Sequence, residues 1–107
     1  MPVRNDASFL GKCLDDIANQ SFENYELLVV DDGSSDGTPQ LLKKAKRRDP
    51  RVRIIQTSAN GIVSALNSGL SECRGEYIAR MDADDRMEKT RLEKQLRYMQ
   101  KNPELDL

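Results

Sequence analysis

Apolar residues recur every three or four positions through Phe9, Leu10, Cys13, Leu14, Ile17 and Ala18. That period puts them on one face of a helix and predicts an amphipathic helix over residues 7–19, with Asn5 or Asp6 placed to cap it. The pattern then changes. Residues 25–30 form a compact apolar run ending in the β-branched Val29 and Val30, the mark of a strand buried on both faces of a parallel sheet. Residues 31–37 are turn chemistry throughout. Thr38 is the predicted cap of a second helix with Pro39 at its first position. Asp49 and Pro50 stop that helix at Arg48.

The alternation continues to the end of the chain. A second strand is predicted over residues 52–56, a loop over 57–60, and a short helix over 62–71 with Ile62, Leu66 and Leu70 on one face. Gly75 closes that connection and residues 77–81 read as a third strand. Asp82, Ala83, Asp84 and Asp85 fall on the loop just past it. A long polar helix follows over residues 88–101, until Asn102 and Pro103, and Leu105, Asp106 and Leu107 read as the start of another strand. Helices and strands in this order predict an α/β domain with a mostly parallel sheet, flanking helices and right-handed crossovers. Ligands of such sheets bind beyond the carboxyl ends of the strands. Both acidic clusters, Asp31 with Asp32 and the group from Asp82 to Asp85, lie at that edge, so two strands deliver carboxylates to one rim.

Composition narrows the chemistry. The chain has 107 residues, 37% apolar and 33% charged, which fits a single soluble domain with a small core. A formal net charge of -1 sets up no field that would draw in nucleic acid or acidic lipid. The local basic group of Lys43, Lys44, Lys46, Arg47 and Arg48 reads as a solvated helix face. Histidine is absent, which excludes a Ser-His-Asp triad or a His-ligated metal within these residues. Proton transfer or metal chemistry here must rest on carboxylates. Cys13 and Cys73 lack metal-ligand spacing and fit reduced thiols of a cytosolic protein. No apolar run reaches the ~20 residues that span a bilayer, and no signal-peptide pattern follows Met1. The expected location is cytoplasmic, with the parent protein peripheral to the inner face of a membrane as a further option.

The acidic clusters carry two readings each. Three carboxylates among Asp82, Ala83, Asp84 and Asp85 repel one another unless a cation or hydrogen bonds compensate. Oxygen-only ligands suit Mg²⁺ or Mn²⁺. A solvated loop that complements the dipole of the next helix explains the same residues, and spacing alone favours it. The run from Asp31 to Thr38 likewise fits a tight turn with a helix cap, or a carboxylate that accepts a hydrogen bond from a nucleobase or ribose. It lacks both the G-x-G-x-x-G spacing and a P-loop lysine.

Four stretches together resemble the family 2 glycosyltransferases of the GT-A fold along nearly the whole chain. They are Pro2-Val3-Arg4-Asn5-Asp6; the run from Tyr25 through Asp31-Asp32-Gly33-Ser34-Ser35-Asp36-Gly37-Thr38; the segment from Gly61 to Leu70; and the segment from Gly75 through Met81-Asp82-Ala83-Asp84-Asp85, which is similar to the family's D-x-D region. The resemblance implies that Pro2, Val3 and Asp6 lie by the nucleobase and ribose. It implies that Asp32 accepts from the base with Asp31 beside it, that Asp82 faces the ribose or the cation's water shell, and that Asp84 coordinates a divalent cation bridging the donor diphosphate. The implied activity is transfer of a sugar from a nucleotide-diphosphate donor, a UDP-sugar for preference, to a hydroxyl of a glycan or lipid-linked glycan, with inversion. The sequence departs from the family at Arg4, where an aromatic residue is frequent, and at Leu66, where many relatives carry a basic one.

On this reading residues 1–107 are one partial domain, truncated at both ends, with the catalytic base and acceptor region expected beyond Leu107 and no turnover expected of the fragment alone. Either residues 1–5 fill the place of the family's first strand, or the exposed sheet edges self-associate. The alternatives in other classes are a non-catalytic nucleotide-sugar-binding or regulatory module, and a nucleotidyltransferase, which the lack of a basic Gly-rich phosphate loop disfavours.

Overall fold

A computed structural model of the chain describes residues 1–101. Its elements are β1 (Pro2–Val3), α1 (Ala7–Ala18), β2 (Leu27–Asp32), α2 (Thr38–Arg48), β3 (Val52–Thr57), α3 (Ile62–Glu72) and α4 (Arg91–Lys101). The strands form a parallel sheet in the order β1-β2-β3, with helices flanking it, as the alternating pattern predicts. β2 lies in the middle and is buried from Leu28 to its end. Its neighbouring side chains point to opposite faces. Val29 packs with Leu10 of α1 and Leu42 of α2 in one core cluster, whereas Val30 lies against Gly69 of α3. The sheet is therefore covered on both sides.

Pro2 and Val3 form a two-residue strand beside β2. Pro2 is in register with Val30 and Val3 with Asp31, and the Val30 N–H donates to the Met1 carbonyl at 3.0 Å.

Four expectations need correction. β2 runs on through Asp31 and Asp32 instead of ending at Val30, because β3 offers partners as far as Gln56 and Thr57. Thr38 is not the cap of α2: Gly37 holds that position, and Thr38 begins the helix with its side chain turned inward. Residues 77–81 form no strand. A strand needs a neighbour to pair with, and a run beside β1 would find only two residues. The segment is held instead by Met81, which packs with Cys13 and Ile17 of α1. The last helix begins at Arg91 and not at residue 88. The strand expected from Leu105 lies outside the described residues.

Candidate functional site

The carboxyl end of β2 supplies the first part of the site. Asp32 is only 4% exposed, and its carboxylate is held from three directions. Thr57 Oγ1 donates to Oδ1 at 2.6 Å, the Asn60 N–H to Oδ1 at 2.9 Å and the Gly61 N–H to Oδ2 at 2.8 Å. Hydrogen bonds to the ionised form hold the Asp32 carboxyl below the usual aspartate range, the Thr57 hydroxyl first among them. Asp31, equally buried, accepts the Ser34 N–H at 3.2 Å and so closes the turn after β2.

That turn is tied to the β1–α1 connection. The Asn5 N–H donates to Ser34 Oγ, and the Ser35 N–H donates to Asn5 Oδ1. Asn5 has φ +53°, a conformation asparagine tolerates better than most residues. The Asp6 N–H donates to the buried Thr38 hydroxyl, and Asp6 Oδ2 accepts the Arg4 N–H.

Gly33 brings this turn against the loop after β3. Its φ is +75°, and a Cβ there would stand 2.9 Å from the Ala59 nitrogen. Gly33→Ala is expected to destabilise the fold by about 1–3 kcal/mol, read as a lower denaturant midpoint at unchanged slope.

The acidic loop supplies the other wall. Along it burial alternates: Met81 and Ala83 are 5% and 3% exposed, while Asp82 is half-buried and Asp84 exposed. The two apolar side chains plug into the core and turn the two carboxylates outward. The Asp82 N–H donates to Asp85 Oδ2 at 3.3 Å, and the Asp85 N–H donates to the Asp82 carbonyl at 3.0 Å. Arg80 pairs with Asp82 Oδ1 at 3.2 Å, an exposed contact worth little by itself.

These walls enclose a cleft of about 220 Å³ lined by Pro2, Val3, Arg4, Asp6, Asp32, Ile62, Ala65, Asp82, Ala83 and Asp84. Of the residues the sequence singled out, Pro2, Val3, Asp6, Asp32, Asp82 and Asp84 all face it. Asp31 does not. Ile62 and Ala65, from the first turn of α3, were missed. The available signal was their place just after β3, where α3 must start at the same rim, with a small residue allowing close approach. Among the described residues, no group of three His, Cys, Asp or Glu side chains is gathered closely enough to hold one ion. Among them too, no helix is long and apolar enough to cross a membrane.

Asp16 and Asp49 share the depressed titration of Asp32. The guanidinium of Arg86 acts on Asp16 and that of Arg51 on Asp49. A carboxyl whose folded pKa is depressed adds stability above its unfolded value and loses it as pH falls through the folded value. The contribution of these three carboxylates is therefore expected to be level above about pH 5 and to fall below about pH 4. Asp32→Asn is expected to make that acid-side slope shallower in denaturant titrations across pH.

The family described as Glycosyl transferase family 2 matches residues 1–106. An uncharacterised glycosyltransferase of Haemophilus influenzae is 38% identical over 103 residues, covering 95% of this chain and 41% of the relative. The chondroitin synthase of Pasteurella multocida is 36% identical over 88 residues, covering 82% of this chain and 9% of that protein. Among solved structures, S. aureus TarS 1-349 in complex with UDP superposes with a TM-score of 0.85 at 28% identity, covering 94% of this chain and 30% of that one. The mannosyltransferase PcManGT from Pyrobaculum calidifontis, in complex with GDP-Man and Mn²⁺, also gives 0.85, at 27% identity over 92% of this chain and 30% of that protein. The chain thus spans less than half the length of each of these proteins.

Proposed function

The chain belongs to glycosyl transferase family 2, and on that premise we propose that residues 1–107 form the donor-binding domain of an enzyme that moves a sugar from a nucleotide-diphosphate donor to an acceptor hydroxyl, with inversion. A UDP-sugar is the donor and a glycan or lipid-linked glycan the acceptor on this reading. The observation that carries it is the cleft itself. Six residues chosen for nucleotide or cation contact, drawn from β1, the β1–α1 connection, β2 and the acidic loop, line one space of about 220 Å³.

The geometry is consistent with a role for each residue on this reading. An ionised carboxylate offers about four acceptor positions. At Asp32 three are taken, two of them at Oδ1, so Oδ2 retains one for a nucleobase N–H. The fixed orientation makes that acceptor selective. Pro2 and Val3 give an apolar floor for base and ribose, and Asp6 accepts from the ribose. Asp31 supports the turn behind Asp32. Asp82 and Asp84, both lining the cleft, would hold Mg²⁺ or Mn²⁺ through their carboxylate oxygens. A bound cation supplies charge neutralisation for the departing nucleoside diphosphate. PcManGT, similar in fold, is seen with GDP-Man and Mn²⁺, which supports this choice of ligand.

The test is a titration of the full-length protein with UDP, with and without Mn²⁺, followed by backbone amide shifts. The largest shifts are expected at Asp32, Asn60, Gly61, Asp82 and Asp84. Shifts confined to other parts of the fold would overturn the assignment.

A further inference from the structure

Gln20 is 5% exposed, and it belongs to the few buried polar residues with Asp31, Asp32 and Thr38. The other three already belong to the cleft or its supporting turn. Gln20 stands apart, just past the C-terminal end of α1, and its partners lie in the stretch that follows the acidic loop. Its Nε2 donates to the Glu88 carbonyl at 2.8 Å and to the Asp16 carbonyl at 3.2 Å, and its Oε1 accepts the Leu92 N–H at 3.1 Å. The carboxamide thus uses donor and acceptor at once across the break before α4. Neither a carboxylate nor an apolar side chain can do both.

One turn earlier, Asp16 acts on the same stretch. Its Oδ2 accepts the Met87 N–H at 2.9 Å and the Arg86 Nε at 2.7 Å. The Ser21 N–H donates to the Lys89 carbonyl at 2.9 Å. Arg91 reaches back to donate to the Arg80 carbonyl at 3.0 Å. The acidic loop is therefore bounded on one side by Met81 and on the other by a polar clamp, both seated on α1. Among the described residues the loop has no strand ladder of its own, so side-chain contacts to α1 do the work that pairing would otherwise do.

We propose that Gln20, seconded by Asp16, is a positioning residue for the reaction: by fixing residues 86–92 against α1 it sets where Asp82 and Asp84 stand in the cleft. The inference rests on the donor- and cation-binding role assigned to those two aspartates. Gln20 touches neither aspartate and acts only through the backbone of Glu88 and Leu92, so a loss of several-fold is expected, below the about 10–100-fold typical of groups bonded directly to a ligand.

Gln20→Glu and Asp16→Asn in the full-length protein test it. Gln20→Glu keeps size and one acceptor but removes both donated bonds; Asp16→Asn weakens the second tie and spares the first. For each, Mn²⁺-dependent UDP affinity is measured by calorimetry, hydrogen exchange is followed at the amides of Asp82 and Asp85, and kcat and KM are separated. The expected result is weaker cation-dependent UDP binding and faster exchange at those amides, larger for Gln20→Glu, with a circular dichroism spectrum like that of the parent. Unchanged UDP affinity and unchanged exchange in folded Gln20→Glu would overturn the proposal, even with a lower melting temperature. So would a loss of UDP binding equal with and without Mn²⁺, which marks general loosening. Asp84→Asn, run in parallel, separates the two levels: if it too leaves cation-dependent binding intact, the assignment of the cleft fails; if it alone abolishes it, only the role of Gln20 fails.

Discussion

Asp84→Asn in the full-length protein is expected to lower kcat/KM by about 10²-fold or more while leaving the fold intact. The side chain is exposed at the mouth of the cleft. Its burial contributes little, and the amide is close to it in size, so no cavity or orphaned group results. What is lost is a negative charge and one oxygen ligand beside Asp82. On the proposed reading Asp84 would be one of few protein ligands to the cation that would neutralise the departing diphosphate. Stability is expected to hold or rise slightly, since Asp6, Asp32, Asp82 and Asp84 share one small space and removing one charge relieves their repulsion. Initial rates over a range of Mn²⁺ and Mg²⁺ concentrations decide the matter. Turnover equal to the parent's at every cation concentration would remove Asp84 from the mechanism.

Leu10→Ala is the substitution expected to cost most in stability, about 2–5 kcal/mol. Leu10 is 0% exposed and joins Val3, Val29, Leu42 and Ala83 in one cluster. A cavity there strips contacts from β1, β2, α2 and the acidic loop together. Such a loss is a large part of the ~5–15 kcal/mol that holds a typical domain folded. Because Val3 and Ala83 also line the cleft, donor affinity is expected to fall in the same variant. Phe9→Ala is the control. Phe9 neighbours Leu10 in sequence but is 56% exposed, and its removal is expected to change stability by less than about 0.5 kcal/mol. Equal effects from the two substitutions, read as shifts in denaturant midpoint, would contradict the placement of the core.

The helices were the most legible part of the chain. Leu10, Cys13 and Ile17 repeat at the helical period and are the residues α1 buries. α2 ends at Arg48 as predicted, because Pro50 cannot follow it, and starts one residue before Pro39. Asp32, Asp82 and Asp84 were legible together because each cluster follows an apolar run read as ending at the same rim, whereas Asp6 was singled out only by the family resemblance. Two judgements failed for one reason. Asp31 and Asp32 look like turn residues in isolation, yet β3 carries the ladder through them. Residues 77–81 look like a strand in isolation, yet form no ladder.

The sequence by itself determined which residues carry charge, which faces are apolar and the order of the elements from α1 to α3, because periodicity and turn chemistry act over a few neighbouring residues. The tertiary structure decided the rest. It set Asp31 behind the cleft and Asp32 within it, turned Thr38 from a cap into a buried acceptor for Asp6, and gave Gln20 partners that no motif announces. Each of those outcomes depends on a partner tens of residues away: Thr57 for Asp32, Thr38 for Asp6, Glu88 and Leu92 for Gln20. A hydrogen bond across such a distance exists only once the sheet and helices have brought both ends together, and no local pattern encodes it.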